Sequence, residues 1–153
     1  MSDHTMVWKP NVTVAAIVER DGKYLVVEEE TDEGLMYNQP AGHLEPGESL
    51  IAAVVREMLE ETAYDFLPQH LLGIYDWRHP ARAITYLRFA FGGTLGLHHA
   101  SRQLDQGIVR AVWLTPEEIR ASRERHRSPL VLRCMEDHLL GIKASLGLLV
   151  HYE

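Results

Sequence analysis

Between Gly42 and Tyr64 the chain reads GHLEPGESLIAAVVREMLEETAY, and no other stretch limits the possible folds as strongly. A helix is expected from about Ser49 to Ala63. On a wheel of about 100° per residue with Glu57 at zero, Glu60 falls at about 300° and Glu61 at about 40°. Ile51, Ala52, Val55, Met58 and Leu59 fall between about 100° and about 220°, which makes an apolar face. The pattern predicts a helix that docks this face on a core and turns three carboxylates outward together. Like charges three and four residues apart cost a helix ~0.2–0.5 kcal/mol per pair. Taken alone, three such glutamates read as a solvated acidic face or as a site where a divalent cation offsets the repulsion.

The loop before the helix adds to this. Ala41-Gly42 and Pro46-Gly47 allow tight turns and close approach of backbone to a ligand. Loop carbonyls and helix carboxylates are all oxygen donors, a set that suits Mg²⁺ or Mn²⁺ better than zinc. Arg56 lies on the wheel beside Glu60, and Glu48 stands at the helix N-terminus, where an acid is favoured. An Arg56–Glu48 pair would hold the loop against the helix.

The remaining segments alternate between strand and helix patterns. Asn11 to Val18 and Lys23 to Glu28 are β-rich and separated by Arg20-Asp21-Gly22, a hairpin signal. Glu28 to Gly34 is expected as an acidic loop and Tyr37 to Leu44 as a short extended piece. Strands are expected at Leu71 to Trp77, Ile84 to Phe91 and Ile108 to Trp113. Thr115-Pro116-Glu117-Glu118 carries a hydroxyl cap, a proline at the first helical position and first-turn acids. A last helix is expected from Ser128-Pro129 to about Leu140. The fold class is α/β (α+β), a mixed sheet with helices on both faces, in one domain over residues 1–153.

Composition narrows the function. Fifteen Lys and Arg against 22 Asp and Glu give a net charge of −7, which argues against adhesion to nucleic acid or membrane. Arg120 to Arg127 (RASRERHR) is a local basic run, read as a solvated helix end. MSDHTMVWKP has no apolar stretch of signal-peptide or membrane length, and a cytoplasmic setting is expected. A lone Cys134 forms no internal disulfide. With His98-His99 in a Gly-rich loop it gives no zinc spacing.

The helix stretch resembles the Nudix hydrolases, whose pattern is G-x5-E-x7-R-E-U-x-E-E-x-G-U, with U a bulky apolar residue. Gly42, Glu48, Arg56, Glu57, Met58, Glu60 and Glu61 match it in register. Two positions depart: the late glycine is Ala63, and the final aliphatic residue is Tyr64. A left-handed alanine past the helix end would cost ~1 kcal/mol. Asn38 to Glu45, Leu87-Arg88-Phe89 and Ser128 to Val131 look like the NudJ-type phosphatases within that family.

The resemblance implies a Nudix-type mixed sheet sandwiched between helices, and Mg²⁺- or Mn²⁺-dependent attack of water on phosphorus. The implied substrates are small pyrophosphates: nucleoside di- and triphosphates, or the pyrophosphates of thiamine and hydroxymethylpyrimidine. It carries the metal-ligand role onto Glu57, Glu60, Glu61 and the Ala41 carbonyl, and the catalytic role onto Glu57, Glu60, Arg56 and Glu48. The general base stays open among Glu57, Glu60 and Asp105. Substrate-side candidates are Gly42, Tyr37, Gln39, Arg88 and Asp105. Arg88 is mid-strand, where an arginine must pair or face a cleft; Tyr37, Asn38 and Gln39 could read a base edge. Tyr37 or Trp77 could stack on one. Nucleotide-sugar or dinucleoside polyphosphate hydrolysis, and a non-catalytic nucleotide sensor, are the alternatives. The expected partner is a small molecule, and the chain is expected as a monomer or homodimer.

Overall fold

The strand β1 (Asn11–Ile17) is buried on both faces from Val14 onward, as a continuous apolar run in a covered sheet must be. A computed structural model describes residues 6–153; the first five residues of the stretch considered for an export signal lie outside them. β1 pairs antiparallel with β5 (Ala41–His43) and parallel with β7 (Thr85–His98). β6 (Tyr64–Arg78) closes the order β5-β1-β7-β6 as an edge strand, antiparallel to β7. A second sheet is built on β3 (Lys23–Thr31), which pairs antiparallel with β2 (Glu19–Arg20), β4 (Gly34–Asn38) and β8 (Ile108–Leu114).

The helices are α1 (Leu50–Thr62), α2 (Pro116–Ala121) and α3 (Leu130–Leu139). Val14 and Ala16 pack with Ala53, Val54 and Met58 of α1. Ala15 and Ile17 pack with Leu130, Cys134 and Met135 of α3. Alternate residues of β1 therefore face different helices, and the mixed sheet is covered on both sides. Thr115 caps α2 in a capping box, accepting from Glu118 N at 3.1 Å while Glu118 accepts from Thr115 N at 2.9 Å. Among the described residues no helix is long and apolar enough to cross a membrane.

Several expectations are corrected. There are two sheets, and the chain leaves the first for the second at Val18. The Asp21-Gly22 turn, with φ of 54° and 78°, joins only the short β2 to β3 and does not pair β1 with β3. The segment Glu28 to Gly34 is no loop: β3 runs to Thr31 and turns through Asp32-Glu33 into β4. Tyr37 to Leu44 spans both sheets, crossing between them at Gln39-Pro40. β6 begins at Tyr64, seven residues before the expected Leu71, and runs through Pro68, which an edge strand tolerates. β7 pairs with it as far as His98, so His98 is a strand residue, its ring centroid 4.4 Å from that of Tyr64.

The helix face is also rotated from expectation. The buried residues of α1 are Ala53, Val54, Glu57, Met58 and Thr62, while Ala52 is exposed. On the same wheel these span an arc from about 320° through zero to about 140°, so Glu57 and Glu61 fall inside it. The two carboxylates do not all point to open water with Glu60; they lie where α1 meets β5.

α1 ends at Ala63, which has φ 63° and ψ 17° and donates its N–H to Leu59 O at 2.9 Å. This is a left-handed cap carried by a residue with a Cβ. Ala63→Gly is expected to stabilise the fold by about 1 kcal/mol, a rise in Tm of about 2–4 °C by thermal denaturation. A fall in Tm would show that the buried methyl contributes more than the strain costs.

Candidate active site

Arg56 organises the carboxylates of α1. Its Nε donates to Glu48 Oε2 at 2.6 Å and its Nη2 to Glu48 Oε1 at 2.9 Å, a two-pronged pair. Nη2 also donates to the His43 carbonyl at 3.0 Å, while Nη1 donates to Glu57 Oε1 at 2.7 Å and Glu60 Oε1 at 2.9 Å. The expected Arg56–Glu48 pair is present, and Glu48 further accepts from Glu45 N at 3.1 Å. One guanidinium thus ties the loop, the end of β5 and two helical acids together. Arg56 beside it holds the Glu48 carboxyl below its ordinary range.

Glu57 is 8% exposed. A Cβ on Gly42 would fall on the Glu57 carboxylate, so glycine is needed there for close approach rather than for a turn. Burial raises the Glu57 pKa, Arg56 opposes this, and the charges of Glu60 and Asp105 add to it. Glu61 accepts from Ala41 N at 2.9 Å. Burial pushes its pKa up to about 9; the Ala41 N–H opposes the rise, and Glu57, Glu29 and Asp105 reinforce it.

These groups line a cleft of about 650 Å³. Ala41, Gly42, His43, Glu45, Glu57 and Glu61 form one side. Glu29, Thr31, Asp32, Glu33 and Met36 of the β3–β4 hairpin form another, and Trp77, Tyr86, Arg88, Arg127 and Ser128 continue the lining. The hairpin acids are not among the expected site residues, because an acidic loop from Glu28 to Gly34 assigns them to no face. The signal was the period-two alternation Leu25, Val27, Glu29, Thr31, which puts Glu29 and Thr31 on one face of β3.

Other candidates stand elsewhere. Glu60 does not line the cleft; its Oε1 is taken by Arg56. Asp105 is exposed in the β7–β8 loop, its N–H donating to Glu60 O at 3.0 Å, also outside the cleft lining. Tyr37 is outside it too: its ring lies 4.2 Å under the Arg125 guanidinium, and its hydroxyl accepts from Arg125 Nη1 at 3.0 Å. Arg125 also binds the buried Glu28 carboxylate, so the basic run is partly a structural anchor rather than a solvated helix end. Gln39 is 4% exposed and bridges Val131 O and Arg88, which leaves it no edge to read a base.

Among the described residues no three His, Cys, Asp or Glu side chains converge as a closed metal cage. The donor set fits Mg²⁺ in its usual open manner, which needs one or two carboxylates and leaves room for waters and phosphate oxygens. Glu57 and Glu61 are two such carboxylates at one cleft wall. Burial is the main cause of both raised pKa values, and Arg56 offsets it at Glu57 but not at Glu61.

The chain is similar to several known proteins. The NUDIX domain pattern matches residues 8–134. A curated relative, Phosphatase NudJ of Escherichia coli (strain K12), is 40% identical over 132 residues, 84% of this chain and 85% of that protein. A solved NUDIX hydrolase from Nitrosomonas europaea superposes with a TM-score of 0.92 at 52% identity, covering 94% of this chain and 98% of its own. A MutT NUDIX hydrolase from Burkholderia pseudomallei shares the fold at a TM-score of 0.72 and 18% identity, over 85% of this chain and 98% of its own.

A folded pKa near 9 against an unfolded value of 4.5 means that folded Glu61 keeps a proton the unfolded chain has lost. Its contribution to stability therefore falls as pH rises from about 4.5 to about 9. A divalent cation held by Glu61 would have to displace that proton, so a Mg²⁺-induced rise in Tm is expected to be larger at pH 8.5 than at pH 6. Glu61→Gln should raise the metal-free Tm at pH 8.5 and remove the Mg²⁺ response. A pH-independent response would refute this assignment of Glu61.

Proposed function

The chain belongs to the Nudix hydrolase family, and on that premise we propose that it hydrolyses a small organic pyrophosphate with Mg²⁺ or Mn²⁺ held by Glu57 and Glu61. The substrates proposed are nucleoside di- and triphosphates and the pyrophosphates of thiamine or hydroxymethylpyrimidine. The observation that carries this is the pair of clustered carboxylates at the cleft wall, one packed on Gly42 and one anchored by the Ala41 N–H. The relative named as a phosphatase, similar over most of both chains, supports the same class of reaction.

When bound, the ion would neutralise phosphate oxygens and make an attacking water more acidic. The protein's own part is positional. Arg56 fixes the rotamers of Glu48, Glu57 and Glu60, so that Glu57 meets the substrate without reorganising. Of the three candidates for accepting the water's proton, Glu57 alone lines the cleft, and its Oε2 takes no bond from Arg56. That favours Glu57 over Glu60 and Asp105. Trp77 and Tyr86, with ring centroids 5.7 Å apart, offer a flat apolar wall to an aromatic head group. A sensor without catalysis is the weaker reading, because the metal-side carboxylates are all retained.

The test is phosphate release from nucleoside di- and triphosphates, thiamine pyrophosphate, a nucleotide sugar and a dinucleoside polyphosphate. Each is assayed with and without Mg²⁺, and with added pyrophosphatase to separate orthophosphate from pyrophosphate release. Metal-dependent orthophosphate from the first three is expected. Glu57→Gln and Glu61→Gln should each lower turnover by about 10²–10⁴-fold, and Glu60→Gln by less. Silence across the panel with ligand binding intact would favour the sensor.

A separate expectation concerns the wall. Trp77→Ala should raise KM by about 5- to 150-fold for aromatic-headed substrates, the range a lost stacking contact of about 1–3 kcal/mol gives. An unchanged KM would place the head group elsewhere.

A further inference from the structure

Arg88 lies in the middle of β7, on the row His43–Thr13–Arg88–Tyr75 that crosses the mixed sheet. It is 6% exposed and yet lines the cleft. Its Nη1 donates to Gln39 Oε1 at 2.9 Å and approaches Cys134 Sγ at 3.8 Å; its Nη2 donates to Asn38 Oδ1 at 2.9 Å. All three acceptors are neutral, since burial pushes the Cys134 thiol up and keeps its proton on. Among the described residues Arg88 has no carboxylate within ion-pair distance. Other arginines that fix structure here are paired: Arg56 with Glu48, Arg125 with Glu28, Arg133 with Asp137. A buried guanidinium held by neutral acceptors keeps its full charge, and its Nε and a second Nη2 hydrogen take no partner among these bonds.

We propose that Arg88 is the anion receptor of the cleft: it binds the phosphoryl group of the substrate that is not held at Glu57 and Glu61, and it does so without metal. The proposal rests on the hydrolytic reading above and adds the order of groups along the cleft. His43 ends the strand beside Glu57, and Arg88 stands two strands away, about 10 Å across the sheet. Tyr86 lies two residues from Arg88 on the same face, about 7 Å further along β7, beside Trp77. A chain of carboxylates, then one fixed cation, then a flat aromatic pair matches a diphosphate ester with a planar head group. A substrate with a single phosphoryl group and no second anion would leave Arg88 without its counter-charge. Asn38 and Gln39 are positioning residues that aim the fork and leave its charge unspent.

The probe is inorganic pyrophosphate with the metal removed by a chelator, read as a ligand-induced shift in Tm and as Kd by calorimetry. Wild type is expected to bind. Arg88→Met should weaken binding about tenfold or more, the effect of removing a charged two-pronged contact. Asn38→Asp keeps Arg88 and its neighbours but supplies a carboxylate where a neutral amide stood. It should raise the basal Tm while weakening pyrophosphate binding by a similar factor. If Arg88 merely ties Gln39 and Asn38 in place, Arg88→Met lowers Tm and both variants bind pyrophosphate as wild type does; that outcome overturns the proposal, as does absence of metal-free binding in wild type. Should Arg88→Met fail to fold, Arg88→Gln, which keeps donors toward Asn38 and Gln39 but carries no charge, decides in its place: binding as in wild type overturns the proposal. Metal-free binding does not require turnover. Silence on the substrate panel would therefore count against the hydrolytic reading while this assay still decides the role of Arg88.

Discussion

Arg56 uses all five of its N–H groups: two on Glu48, one each on Glu57 and Glu60, and one on the His43 carbonyl. The site depends on this arrangement. Without a fixed cation, Glu57, Glu60 and Glu61 would repel one another, and the buried Glu57 would protonate or swing out to water. With it, the loop from Gly42 to Glu48, the short β5 and the middle of α1 form one rigid body. Arg56 satisfies Glu48 and Glu60 from outside the cleft and leaves an oxygen of Glu57 facing inward. Glu61 is beyond its reach and is fixed by the backbone of Ala41 instead.

The same geometry explains an apparent conflict between burial and charge. Glu57 sits in the buried arc of its helix, a position where an acid normally costs stability. Gly42 makes the placement possible, because β5 offers a strand position with no side chain and the carboxylate occupies that space. Burial raises the Glu61 pKa to about 9, so this acid stays neutral at ordinary pH and avoids the cost of a buried charge. The fold stores the cost of Glu57 at its functional wall, and well-packed elements such as β1 and the Val14, Met58 and Phe91 cluster supply the stability elsewhere. Arg88 is a second instance of the same design, a charge left without its partner on the opposite side of the cleft.

The two sheets meet at the site for a topological reason. The chain passes from one to the other at Val18 and returns at Gln39-Pro40, so the β3–β4 hairpin and β5 are neighbours with the cleft between them. The return crossing is bolted down by Gln39, whose amide reaches α3 at Val131 and whose carbonyl reaches Arg88. A residue expected to read a base edge therefore holds the frame. Tyr37, two residues earlier, is held by Arg125, which also binds the buried Glu28 carboxylate.

What the sequence determined by itself was whatever local spacing can specify. The run from Gly42 to Glu61 fixed the helix, its acid triplet and the Arg56–Glu48 pair, because each involves atoms within about four turns of one helix and its lead-in; that the helix stops short of Ala63 in a left-handed turn came only with the structure. Thr115 to Glu118 fixed its own cap for the same reason. The tertiary structure alone decided which side of α1 is buried, since Gly42 and β5 attract Glu57 into a space no helical wheel contains. It alone decided the length of β6 and β7, whose pairing sustains Pro68 and the glycines against their poor strand propensity. And it alone decided the fates of Tyr37, Gln39 and Arg88. Strand alternation assigns each to a face, but what lies across that face comes from chain about 50 to 90 residues away, and contacts at that separation leave no spacing to read.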